Sequence, residues 1–121
     1  MAKVVVIEDH LELARMIKSL LVSRGYEVAI AGDGYQGIKL IREQNPDIIL
    51  LDIMLPAGGG WSVLQRLKGS PLETIPVVIL TAKQIDMDVK VKAKEMNVAS
   101  IISKPFENEH LIETIGSVIK G

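Results

Sequence analysis

Apolar residues along this chain fall into two kinds of run, and the two kinds alternate. Val4 to Ile7, Ile48 to Leu51 and Val77 to Leu80 are continuous runs rich in β-branched side chains. Uninterrupted runs of that length read as strands buried on both faces, the habit of parallel sheets. Between them the spacing changes. Leu13, Ile17, Leu20 and Leu21 recur at i, i+4, i+7 and i+8, the stripe of an amphipathic helix. Ile38 with Ile41, then Trp61 with Leu64 and Leu67, then Leu111, Ile112, Ile115, Val118 and Ile119 continue the helical pattern.

Punctuation sets the boundaries. Strand one spans 3–8, and Gly25 stops helix one near Arg24. Tyr26 to Ile30 is strand two, Gly32-Asp33-Gly34 a turn, and helix two ends before Pro46. Strand three is Ile48 to Asp52, followed by a flexible loop from Pro56 to Gly60. Gly69-Ser70-Pro71 breaks helix three, and Pro76 to Leu80 is strand four, ending at Thr81. Ile85, Met87, Val89, Val91 and Ala93 alternate as a strand would, yet Val89, Ala93 and Met96 also fit a helix. Parallel neighbours need a crossover, so this segment is helix four, held less firmly than the others and stopped by a left-handed Asn97. Lys83, Lys90, Lys92 and Lys94 read as its solvated face before they read as a patch for an acidic partner. Ala99 to Ser103 is strand five, and helix five runs from about Glu107 to Lys120. Five strands alternating with five helices make an α/β fold: one doubly wound, five-stranded parallel sheet in the flavodoxin-like order 2-1-3-4-5. No linker or internal repeat divides residues 1–121.

Composition narrows the function. Hydrophobic residues are 48% of the 121, which fits one packed core. A formal net charge of −1 gives no general attraction to nucleic acid or an anionic membrane. No cysteine is present, so thiol chemistry and disulfides are excluded, and a cytoplasmic location is the expectation. No run approaches the ~20 apolar residues of a membrane helix. Tyr26, Tyr35, Trp61 and Phe106 are too few for a stacking platform, and Trp61 reads as packing.

The candidate chemistry lies at the strand ends. Glu8 and Asp9 follow strand one, Asp52 ends strand three, Thr81 ends strand four and Lys104 follows strand five. In the order 2-1-3-4-5 these ends share one sheet edge, where α/β sites are built. Taken singly each has a plainer reading: Glu8-Asp9 as a helix cap, Thr81 as a capping hydroxyl, Lys104 as a solvated charge. Together they describe a site. Carboxylates ~4 Å apart repel by ~4 kcal/mol at an effective dielectric near 20, so one must be protonated or a cation must bind. An all-oxygen set suits Mg²⁺, and His10 and His110 lack the partners of a zinc site. With its charge neutralised, a carboxylate oxygen can attack phosphorus, and Lys104 and Thr81 could hold the phosphoryl oxygens. Gly58-Gly59-Gly60 is no phosphate cradle, since no Lys-Ser/Thr follows it.

Four segments, Val5-Val6-Ile7-Glu8-Asp9, Pro46 through Pro56, Pro76 through Ala82, and Ser103-Lys104-Pro105-Phe106, together resemble the receiver domain of two-component response regulators. The resemblance covers essentially the whole chain. It implies that Asp52 accepts a phosphoryl group from a histidine kinase or phosphotransfer protein. Asp9 would bind Mg²⁺ directly, Glu8 mainly through water, and the Met54 backbone carbonyl would be a further ligand. Thr81 would bond a phosphoryl oxygen and Lys104 would pair with the phosphate, next to a cis bond to Pro105. Output would lie on the helix four, strand five, helix five face near Lys90, in a monomer or a phosphorylation-promoted homodimer, with the effector unspecified. The resemblance thus implies a switch whose own chemistry is limited to self-phosphotransfer and autodephosphorylation at Asp52, without direct binding to nucleic acid or membrane. Three positions depart from the pattern. Ile101 stands where Tyr or Phe is common, so no ring is present to rotate; Gly59 replaces a common acid; Asn97 replaces a common glycine. Three further readings use the same fold. A phosphorylation-independent interaction module would ignore Asp52 and Mg²⁺. A flavodoxin-type electron carrier would need a phosphate loop where Glu8-Asp9-His10 stands. A Mg²⁺-dependent phosphatase would want a second acid two residues after Asp52, where Met54 is found.

Overall fold

A computed structural model describes residues 1–56 and 59–121. Its elements are β1 (Lys3–Ile7), α1 (Leu11–Ser23), β2 (Glu27–Ala31), α2 (Gly34–Gln44), β3 (Ile48–Asp52), α3 (Gly59–Leu67), β4 (Val77–Thr81), α4 (Met87–Glu95), β5 (Ser100–Ser103) and α5 (Asn108–Lys120), with a 3₁₀ turn at Pro71–Thr74. All four strand pairings are parallel and the order is β2-β1-β3-β4-β5. Every residue of β3 and β4 is buried, as their unbroken apolar runs require, whereas β2 at one edge is partly exposed. Alternate strand residues feed two cores. Val5, Ile7, Ile49, Leu51 and Ile79 pack with Ile38, Ile41, Val63, Leu64 and Val89 from α2, α3 and α4. Val4, Val6, Ile48, Leu50 and Leu80 pack with Ile17, Leu21, Leu111 and Ile115 from α1 and α5.

Local chemistry accounts for most of the boundaries. Asp33 caps α2, its carboxylate accepting from the Gln36 N–H at 2.8 Å, so the Gly32-Asp33-Gly34 turn is the start of that helix. Asn45 and Asn97 carry positive φ of 45° and 58° at the ends of α2 and α4, a conformation asparagine tolerates. Strand two begins one residue later than the pattern suggests because the Tyr26 N–H donates to Leu21 O, closing the end of α1.

Two expectations change. The Pro56–Gly60 segment is not all loop, since Gly59 and Gly60 open α3; Gly58 lies outside the described residues. A Cβ on Gly60 would stand 2.6 Å from Asp52 O, so the glycine permits close approach of α3 to the end of β3. Lys83 precedes α4 and is not on its face, and Lys92 lies 5.2 Å from the Trp61 ring centroid, a cation–π contact. The ambiguous segment before β5 does form a helix, and only Val89 and Ala93 are buried on it, which fits its weak apolar stripe.

Candidate functional site

Parallel register brings the site together. The Glu8 N–H donates to Ala31 O, the Ile53 N–H to Leu80 O and the Lys104 N–H to Thr81 O, at 3.0, 3.1 and 2.8 Å. These bonds extend the sheet one step beyond β1, β3 and β5, and fix the polar residues along one edge. Among the described residues, Glu8, Asp52 and Thr81 are the buried polar ones, at 1%, 3% and 1% exposure, among side chains that are otherwise apolar. Asp9 is exposed at the rim.

Each buried group has partners. Asp52 Oδ1 accepts from the Met54 N–H at 2.9 Å, and Oδ2 lies 3.4 Å from Lys104 Nζ. Glu8 Oε1 is paired with the Lys104 ammonium, and Oε2 accepts from the His10 N–H at 3.1 Å. Thr81 Oγ1 accepts from the Lys83 N–H at 2.9 Å, so its own O–H hydrogen can still be donated. The Lys104–Pro105 peptide bond is cis. His10 is the N-cap residue of α1 and makes no side-chain cap, so neither Glu8 nor Asp9 caps that helix. Both histidines are exposed.

The charges do not balance. One ammonium serves two buried carboxylates, and Asp9 adds a third acid. Burial pushes the Glu8 carboxyl above its ordinary range, and the neighbouring Asp52 pushes it further; the Lys104 ammonium and the His10 N–H oppose the shift. One oxygen from each of Glu8, Asp9 and Asp52 falls within 4.8 Å of the others. A hard, all-oxygen donor set with an exposed member and an excess of negative charge fits Mg²⁺.

The family model for the response regulator receiver domain matches residues 4–116. This chain belongs to that family. Among curated proteins it is 41% identical over 113 residues to the transcriptional regulatory protein DltR of Streptococcus agalactiae serotype III (strain NEM316), across 93% of this chain and 50% of DltR. The chain thus spans about half the length of that relative. Among solved structures it resembles a DNA-binding response regulator of the LuxR family from Staphylococcus aureus, at 30% identity and TM-score 0.88, covering 98% of this chain and 99% of that one. It also resembles the receiver domain of Francisella response regulator 1452, at 29% identity and TM-score 0.90, covering 99% and 98% of the two chains. The receiver fold expected from the sequence is therefore the fold observed, in a family of signalling switches that typically bind Mg²⁺ at an acidic pocket.

The five named side chains, Glu8, Asp9, Asp52, Thr81 and Lys104, stand at this edge, with the Met54 N–H bonded to Asp52. Ile101 is half-buried on β5, against the core cluster that contains Val89 of α4. Sequence reasoning did not find the Met54, His10 and Lys83 amides that bind the site's side chains, because a main-chain donor carries no residue signature. None of the described helices is long and apolar enough to cross a membrane.

Proposed function

We propose that residues 1–121 form a receiver domain that accepts a phosphoryl group on Asp52 from a histidine kinase or phosphotransfer protein. The carrying observation is the buried Asp52 carboxylate facing Lys104 Nζ at 3.4 Å, with oxygens of Glu8 and Asp9 within 4.8 Å. An Asp52 oxygen forms a bond to phosphorus as the donor's P–N bond breaks, and the nitrogen electron pair returns to the donor's imidazole. Asp9, Asp52 and the Met54 carbonyl would hold Mg²⁺, with Glu8 acting mainly through water. When bound, the ion supplies positive charge to the acids and to the phosphoryl oxygens. Lys104 turns from the carboxylates to a phosphoryl oxygen, and the Thr81 hydroxyl donates to another. Water later attacks phosphorus, which releases phosphate and restores the carboxylate.

Output would leave through the face of α4, β5 and α5, near Lys90 and Ile101, to an effector that the chemistry of this face does not name, from a monomer or a phosphorylation-promoted homodimer in the cytoplasm. With Ile101 in place of a ring, the transmission step is a packing shift of Ile101 against its core cluster, not an aromatic rotation. The test is incubation with Mg²⁺ and acetyl phosphate, followed by intact-mass and peptide mass spectrometry. One phosphoryl group on the peptide carrying Asp52, absent in Asp52→Asn and without Mg²⁺, is expected. A folded protein that acquires none would refute the proposal.

A further inference from the structure

A groove of about 670 Å³ runs between α2 and α3, away from the acidic site, and its lining is basic and aromatic. Lys39 and Arg42 from α2 and Arg66 from α3 line it, beside the Tyr35 ring. Tyr35 is 75% exposed, an unusual position for one of the chain's few aromatic side chains. Lys39, Arg42 and Arg66 are exposed and belong to none of the ion pairs among the described residues, which are Arg24–Glu109 and those of Lys104 with Glu8 and Asp52. Tyr35, Ile38, Lys39 and Arg42 fall at i, i+3, i+4 and i+7, so the helix presents them as one stripe. Tyr35 and Arg66 also line an adjoining groove, together with Asp33, Pro56 and Gly59.

We propose that this α2–α3 groove docks an acidic segment of a partner protein. Tyrosine and arginine are the residue types most enriched where interfaces carry their energy, and here both stand unpaired on one concave strip. The local excess of positive charge, in a chain of net charge −1, selects an acidic occupant. Glu43 also lines this groove, and Asp33 lines the adjoining one. A uniformly charged nucleic-acid backbone would meet these two carboxylates as well, whereas a peptide can place its acids over the arginines alone. The site is independent of the chemistry at Asp52, so it stands or falls separately from the phosphoryl-transfer reading.

The probe is a fluorescein-labelled peptide of Glu-Glu-Leu repeats, followed by anisotropy, with a Lys-Lys-Leu counterpart and single-stranded oligothymidine in parallel. Arg42→Glu combined with Arg66→Glu should weaken binding of the acidic peptide about tenfold. Arg15→Glu with Lys18→Glu, the same charge change on exposed positions of α1, should change it less than about twofold. Tyr35→Ala should weaken it at constant net charge. Circular dichroism melts verify that each variant is folded. Failure of the wild-type protein to bind the acidic peptide would overturn the proposal. So would equal losses in the two charge-reversed variants, equal binding of the basic peptide, or tighter binding of oligothymidine that the groove variant abolishes.

Discussion

Replacing Asp52 by asparagine should make the metal-free protein more stable while it removes the proposed acceptor. The site holds two buried carboxylates, Glu8 and Asp52, against one ammonium. Their nearest oxygens lie within 4.8 Å, a separation at which like charges repel by about 3.5 kcal/mol at an effective dielectric near 20. Lys104 Nζ attracts Asp52 at 3.4 Å by about 5 kcal/mol on the same scale. Removing the Asp52 charge gives up the second term and relieves the first, and it also relieves the several kcal/mol of desolvation that a buried carboxylate carries. The asparagine side chain keeps an oxygen for the Met54 N–H and gains an N–H to offer Glu8, which then holds Lys104 alone. The balance favours the variant by about 1–2 kcal/mol, or roughly 3–8 °C in Tm. The gain depends on pH. Glu8 titrates above its ordinary value in the folded wild type, so the folded state binds more protons than the unfolded one. Stability from this source is therefore present at low pH and lost as pH rises through the raised value. Asp52→Asn removes one cause of that shift, so its advantage should grow from mildly acidic to neutral pH. Urea titrations followed by Trp61 fluorescence in EDTA measure it. A variant less stable than wild type at neutral pH in EDTA would refute the charge accounting.

Asp9→Asn should leave stability within about 0.5 kcal/mol, since Asp9 is exposed, yet weaken Mg²⁺ binding at least about tenfold by fluorescence titration. For wild type, Mg²⁺ affinity should fall as pH drops through the raised Glu8 value, because the proton competes with the cation. Gly60→Ala should cost about 1–3 kcal/mol in urea unfolding, because its Cβ would meet Asp52 O at 2.6 Å, while Gly116→Ala, with open space around it on α5, should gain about 0.5–1 kcal/mol. Thr81→Ala should cost about 1 kcal/mol, as the Lys83 N–H loses its acceptor, and should leave Asp52 phosphorylation by acetyl phosphate measurable while slowing it.

The elements were legible wherever a periodicity was strong. Ile48 to Asp52 is a strand because an unbroken β-branched and leucine run has no polar face to offer water, and the strand begins and ends on those residues. The segment from Ile85 to Met96 fitted two periods, and only the need to cross from β4 to β5 made it α4. The Gly59-Gly60 pair read as loop because glycine favours none of the regular structures locally; it opens a helix because α3 must lie against the carbonyl of Asp52.

By itself the sequence determined which residues could do chemistry and that they would share an edge, since strand-end positions and a parallel order follow from spacing alone. Tertiary structure decided how those charges are shared. Lys104 follows the last strand and pairs with Glu8 after the first, across a gap in sequence that no local pattern spans. Burial then turns a list of three acids and one ammonium into an unbalanced cluster in which Glu8 holds its proton more tightly. Desolvation and distance set those energies, and both exist only after the chain has folded.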